Sequence, residues 1–173
     1  MKNYTGRGAV VFWIVCIVSS GWAMNSMSYA AETLEEAFHQ GAVNGNIRAH
    51  YNERHYTAKP DATAFALGGG VRVETGSLNG FKLGAGFYTA QDLGTNDSDP
   101  IKVDGRMGSD VEVLGEAYVN YSALNSSLTV GRQKINTPFA NPIDVFIIPF
   151  TFEAVNFTNS TIPNLTLEID YIK

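Results

Sequence analysis

The feature that most constrains this chain is the alternation of apolar and polar residues in several short segments. Three of them are Thr63–Thr75, Phe81–Tyr88 and Leu165–Ile172. In each, bulky apolar residues occupy every second position (one parity, odd- or even-numbered), and small or charged residues occupy the positions between them. All five charges of these segments lie on the parity opposite the bulky apolar set, which chance gives roughly one time in thirty. Because successive side chains of a strand point to opposite faces, each segment predicts a strand with one apolar and one polar face.

The first thirty residues have the organisation of an export signal. Lys2 and Arg7 precede an apolar run over Ala9–Val18, and small residues at Ser28 and Ala30 suit a signal peptidase. We therefore expect residues 1–30 to be a cleaved signal peptide. An uncleaved anchor is the alternative, disfavoured because polar residues dilute the second half of the apolar stretch.

Composition argues against several functional classes. The chain carries a net charge of −5, so no basic surface for nucleic acid is expected. The only cysteine, Cys16, lies in the leader, and His50 and His55 do not share a strand face, so no metal site and no cofactor are expected. No Ser/His/Asp or Cys/His grouping supports catalysis, and we expect no enzyme activity.

Residues 31–44 are predicted to form a short N-terminal lead-in. Thr33 and Glu36 have the spacing of a helix capping box, and Gly41 is a suitable residue to end the helix. From Gly45 to Lys173 the chain is predicted to form part of a β-barrel.

This barrel segment contains seven predicted strands, most of them close to the nine to eleven residues that cross a bilayer. The strands are Asn46–Arg54, Thr63–Thr75, Phe81–Thr89, Val111–Tyr121, Ser127–Gln133, Thr151–Thr158 and Leu165–Ile172. Tight, Gly-, Asn- or Ser-rich turns alternate with longer connections, an asymmetry typical of outer-membrane barrels. We therefore predict an all-β, antiparallel, up-and-down transmembrane barrel. Because seven is an odd number of strands and leaves an unpaired edge, we expect these strands to be only the N-terminal part of that barrel.

Two charged residues depart from the alternation. Arg132 and Glu153 fall on the apolar parity of their segments. A charge facing lipid at the bilayer midplane costs about 2–4 kcal/mol and much less at the interface. These residues must therefore lie near a strand end, or the predicted boundaries are off by one.

Four stretches of the mature chain resemble the OprD-type outer-membrane porins. They are Thr33–Phe38 with Gly45–Arg48, Asp61–Gly69, Leu114–Tyr118, and Val130–Asn141 continuing to Ile148–Ala154. The resemblance implies an 18-stranded barrel that admits small solutes such as amino acids, short peptides or carboxylates. It also implies that the third external loop, here Lys134–Phe150, folds inward with Asp144 as its acid, although the family's usual downstream basic residue is absent.

Two sets of candidate site residues follow. The candidates for a constriction or for selectivity are Asp144, Arg132 and Glu153. The candidates for the wall of the lumen share the polar parity of the predicted strands: Arg48, Arg72, Lys82, Glu116, Glu168 and Asp170. The alternative for each is a solvated face without selectivity.

The sequence thus predicts a porin in the outer membrane of a Gram-negative bacterium. Its expected partners are outer-membrane lipid and small hydrophilic solutes that diffuse passively, with a homo-oligomer compatible with the complete form. Three alternatives stay open: a secreted β-sandwich used for binding or adhesion, a barrel enzyme of the outer membrane, and a non-functional truncated porin remnant.

Overall fold

The computed structural model describes residues 13–14, 30–105, 109–143 and 145–173, with only the backbone for the first pair. The predicted leader therefore lies almost entirely outside the described residues. The one α-helix of the described ranges, α1 (Leu34–His39), begins after Thr33, whose hydroxyl accepts from the Glu36 amide at 3.2 Å. The Glu36 carboxylate accepts from the Glu32 amide at 2.8 Å, so the capping box closes one residue further back than predicted. No helix in the described ranges is long and apolar enough to cross a membrane.

Eight strands form one antiparallel sheet in which chain order is also spatial order. They are β1 (Trp13–Ile14), β2 (Ala42–Arg54), β3 (Ala62–Glu74), β4 (Phe81–Gln91), β5 (Val111–Ala123), β6 (Ser126–Gln133), β7 (Phe152–Asn159) and β8 (Leu167–Ile172). The all-β antiparallel architecture is confirmed, and six of the seven predicted strands match within two residues at each end. The exception is β2, which begins inside the predicted lead-in because Ala42 pairs with Glu74. The sheet is single and open, so the described residues do not form a β-sandwich.

The connections alternate between the two ends of the sheet. Residues 75–80, 124–125 and 160–166 lie at one end, the short-turn end, and residues 55–61, 92–110 and 134–151 lie at the other, the long-connection end. The predicted difference in length holds for 92–110 and 134–151 but not for 55–61, which has as many residues as 160–166. Helix α1 packs at the short-turn end, where the Gly76 amide donates to Ala37 at 2.7 Å.

One face of the sheet is apolar and uncovered. Each of the seven longer strands contributes large apolar side chains that are between 37% and 70% exposed. They include Val43, Ile47, Val71, Leu83, Phe87, Leu114, Val119, Val130 and Ile169. No second layer of described residues covers this face.

A β-bulge interrupts the alternation of side chains between the two faces in β5. Gly86 pairs with Glu116, whereas Phe87 pairs with Leu114, so Gly115 is an extra residue in β5. The bulge shifts the side-chain pattern by one, and Leu114 and Glu116 consequently lie on opposite faces despite their shared parity. Strand β5 thereby keeps an apolar residue on the apolar face and a carboxylate on the polar face.

Candidate functional site

The polar face carries a connected charged cluster, formed by Arg72, Glu74, Lys82, Glu116 and Lys134. Arg72, Glu74, Lys82 and Glu116 are brought together because β3 pairs with β4 and β4 with β5. Lys134 follows β6 and reaches Glu116 from there. Two glycines of β4 lie between the partners, and they leave the space that the long side chains occupy. At one of them, Gly84, a Cβ atom would lie 2.1 Å from the Tyr118 ring.

Glu116 is the buried centre of this cluster, with only 1% of its surface exposed. Its carboxylate lies 3.2 Å from Arg72 Nε and 3.6 Å from Lys134 Nζ, and it accepts a hydrogen bond from the Tyr88 hydroxyl. Arg72 Nε is buried without hydrogen-bonding geometry, so its attraction to Glu116 is Coulombic. A buried carboxylate between two cations is compensated, which is the condition for burying charge at all.

Glu74 is the second carboxylate of the cluster. Its Oε2 atom accepts from the Tyr118 hydroxyl at 2.7 Å and from Arg72 Nη2 at 3.2 Å, and its Oε1 lies 3.5 Å from Lys82 Nζ. Arg72 also donates to the Tyr118 hydroxyl. Since Arg72 contacts both carboxylates, it joins the two halves of the cluster.

The long connection over residues 134–151 lies across the polar face. Ile147 is only 4% exposed and packs against Ala66 of β3 and Ala90 of β4. Arg48 Nη1 donates to the Phe146 carbonyl at 3.2 Å. Gly68 permits this approach, because a Cβ there would lie 2.9 Å from Ile147 Cγ2. The connection therefore covers part of the polar face of β2, β3 and β4.

A second long connection, over residues 92–110, is held to the same end of the sheet. Asp104 is 5% exposed, lies 3.0 Å from Arg54 Nε and accepts from the Asn52 amide. The Asn96 side chain accepts from the Phe65 amide at 2.8 Å and donates to its carbonyl at 3.1 Å. The Asn96 side chain thus satisfies backbone groups of β3 beyond Leu67, where the hydrogen-bonded pairing of β3 with β4 ends.

The acidic residues of β8 form a separate patch on the polar face. The Asn156 side-chain amide donates to Glu168 at 2.9 Å and to Asp170 at 2.6 Å. The polar face therefore has a mixed charged cluster on β3–β5 and carboxylates on β8.

No family model, curated protein or solved structure matches this chain. What it does has to be inferred from its own geometry.

The structure places the six lumen candidates together on the polar face. Arg72, Lys82 and Glu116 belong to the charged cluster, and Arg48 contacts the overlying loop. The remaining two, Glu168 and Asp170, make the patch on β8. Asp144, the predicted loop acid, lies outside the described residues.

Arg132 and Glu153 lie apart from the other candidates. They lie on the apolar face, at the long-connection end of β6 and β7, and their side chains are 2.8 Å apart and half-exposed. Lys173 Nζ lies 3.9 Å from the same carboxylate. Their position near a strand end agrees with the register argument, but it places them on the face opposite the other candidates, so the structure does not bring them together with the charged cluster or the loop.

Several important residues of the polar face escaped the sequence candidates. Tyr88 and Tyr118 were missed as hydrogen-bond donors to the carboxylates of Glu116 and Glu74, and Lys134 was assigned only to a loop. The parity that Tyr88 shares with Gly84 and Gly86 was the available signal for its face. Nothing in local sequence indicates that Lys134 reaches Glu116.

The arrangement can exert a fixed electrostatic field but offers little for metal binding. The charged cluster contains three cations and two carboxylates, so it has an excess of positive charge. The described parts of the chain contain no group of three or more His, Cys, Asp or Glu residues that could hold a metal ion. Such a field would attract or repel a charged molecule that approaches the polar face.

Proposed function

We propose that this chain forms part of the wall of an outer-membrane barrel through which small hydrophilic solutes diffuse. The observation that carries the proposal is the uncovered apolar face, which runs over seven strands of one sheet. Water-soluble monomers rarely expose contiguous apolar patches beyond a few hundred Å². Hydrocarbon chains of lipid would cover this face without desolvating any charge in the middle of the strands, since Glu53, Glu112, Arg132 and Glu153 all lie next to the strand ends.

The polar face supports the second half of the proposal. Its charges, hydroxyls and glycines suit an aqueous passage, since transmembrane barrels alternate apolar outward-facing and polar inward-facing residues. The loop over residues 134–151 would narrow that passage, and the charged cluster would act on solutes beside it. By the resemblance described above, the complete barrel would have 18 strands and admit amino acids, short peptides or carboxylates.

The orientation of the sheet is tested with neighbouring single-cysteine variants in a Cys16→Ser background. Val71 and Arg72 are adjacent in β3 but lie on opposite faces. A nitroxide label at Val71→Cys should collide preferentially with oxygen, which partitions into lipid, after reconstitution in bilayers. A label at Arg72→Cys should collide preferentially with a water-soluble nickel chelate.

A second pair of variants, Lys82→Cys and Leu83→Cys, repeats the comparison in β4. Replacing Lys82 disturbs the charged cluster less than replacing Arg72, because Lys82 makes only a 3.5 Å contact with Glu74. Equal accessibility within both pairs, or extraction of the chain from membranes without detergent, would overturn the proposed orientation. Passage itself is tested by the swelling of proteoliposomes in isotonic solutions of small amino acids; no swelling above that of protein-free vesicles would reject a channel formed by this chain.

A further inference from the structure

An apolar cavity of about 340 Å³ lies between the loop and the wall on the otherwise polar face. Ala66, Ala90 and Val111 line it on the wall side, and Phe146 and Phe150 line it on the loop side. Its volume lies at the lower end of the range for small-molecule sites, which are concave and mostly apolar. The cavity thus has the dimensions of a site for a small apolar group.

The aromatic lining is arranged for contact with another apolar group. The rings of Phe146 and Phe150 have centroids 6.2 Å apart and an interplanar angle of 76°, an edge-to-face pair. The alanines of the wall present small side chains opposite them, so the width of the cavity is set by the loop. Aromatic and aliphatic groups gain both burial and edge contacts in such a lining.

The cavity adjoins the charged cluster along β4. Tyr88 is two residues from Ala90 on the same face, a distance of about 7 Å along a strand. Its hydroxyl donates to Glu116, and Lys134 Nζ lies 5.2 Å from its ring centroid. A molecule with an apolar group in the cavity would therefore bring its polar part close to fixed charges.

We propose that this cavity is a subsite for the aromatic or branched aliphatic side group of a small polar solute. The inference rests on the proposed function, since it takes the polar face to be the solute path. Solutes that carry such a group would be retained beside the loop, whereas solutes with a methyl group would pass with little binding.

The test compares two probes on the full chain in lipid nanodiscs. N-acetyl-L-phenylalaninamide and N-acetyl-L-alaninamide share their polar parts and differ only in the side group. Binding is followed by the methyl resonances of Ala66 and Ala90. We expect the phenylalanine derivative to bind at least about tenfold more tightly, because burial of its phenyl group adds to the free energy of binding.

Matched variants locate the binding site. Val111 lines the cavity, and Val119 lies on the apolar face of the same strand, with exposures of 40% and 43%. Val111→Phe should fill the cavity and weaken binding of the phenylalanine probe at least tenfold, whereas Val119→Phe should change it less than twofold. Phe150→Ala, at a residue that is 48% exposed, tests the lining without overpacking and should also weaken binding.

The outcomes separate this inference from the proposed function. Equal binding of the two probes, or equal effects of Val111→Phe and Val119→Phe, would overturn the subsite even if the spin-label pairs show the expected orientation. A failed orientation test with selective, Val111-dependent binding would instead leave an apolar site in a protein that is not a membrane wall, and the solute-path assignment of the cavity would fall.

Discussion

Removing the charge of Glu116 should destabilise the sheet while leaving its hydrogen bonding largely in place. Glutamine has nearly the same volume as glutamate and can still accept from the Tyr88 hydroxyl. What Glu116→Gln removes is the negative charge that lies 3.2 Å from Arg72 and 3.6 Å from Lys134. The variant therefore isolates the electrostatic contribution of a carboxylate that is almost completely buried.

The expected loss in the free energy of unfolding follows from the burial of Glu116, Arg72 and Lys134. Breaking a fully buried ion pair costs about 3–5 kcal/mol, because the remaining charge is left uncompensated. Here the side chains of Arg72 and Lys134 are 39% and 40% exposed, so both cations can recover hydration. We therefore expect the free energy of unfolding to fall by about 1–3 kcal/mol. For a typical dependence of that free energy on urea concentration, the urea midpoint falls by about 1 M.

The assay is equilibrium unfolding in urea in the presence of lipid vesicles, with Glu168→Gln as the matched control. Glu168 undergoes the same substitution on the same face, but it is exposed and contacts the Asn156 amide at 2.9 Å. That control should change stability by no more than about 0.5 kcal/mol. A loss for Glu116→Gln no larger than for Glu168→Gln would refute the assignment of Glu116 as the compensated centre of the cluster.

Three further predictions concern other parts of the molecule. Gly84→Ala should cost about 1–3 kcal/mol, because its new Cβ would displace the Tyr118 ring; the loss is measured by the same unfolding assay. Ile147→Ala should release the loop from the wall and cost about 2–4 kcal/mol, with faster proteolysis of residues 134–151 as the readout. The hydrogen bond from His55 lowers the pKa of Asp61, so this contact should hold at neutral pH and be lost as the pH falls through that lowered pKa; a carboxyl titration by NMR in the wild type and in His55→Gln checks it.

Controls for these predictions come from the same segments. Ile143→Ala alters a 41% exposed residue of the loop and should leave its proteolysis unchanged. Ala85→Val adds volume on the apolar face beside Gly84 and should be tolerated. A loop that is cleaved equally fast in Ile143→Ala and Ile147→Ala, or a pKa of Asp61 that does not rise in His55→Gln, would contradict the corresponding contact.

Local sequence was sufficient to predict most of the fold. Strand positions follow from alternation, which is a property of the extended backbone and needs no knowledge of neighbours. The alternation in connection length likewise follows from the Gly-, Asn- and Ser-rich turns between strands. The start of β2 was missed because Ala42–Asn44 lacks a strong pattern and is held in the sheet by pairing with β3.

The candidate site was predicted only in part. Parity identified the face of Arg48, Arg72 and Lys82, but it could not show which charges meet. The contact of Arg72 with Glu116 joins residues on β3 and β5, which a third strand separates, and it depends on the register of two ladders. The position of a residue in a strand also could not show that Arg132 pairs with Glu153 on the apolar face, away from the other candidates.

The amino-acid order by itself determined that this chain forms strands with one apolar and one polar side, because side-chain direction alternates with every residue. Only the tertiary structure decided where that alternation is broken and which distant groups come together. The bulge at Gly115 reverses the faces within β5, and the packing of Ile147 brings the loop onto the polar face of the sheet. Both depend on hydrogen-bond register and close packing between segments far apart in the chain, which no local pattern contains.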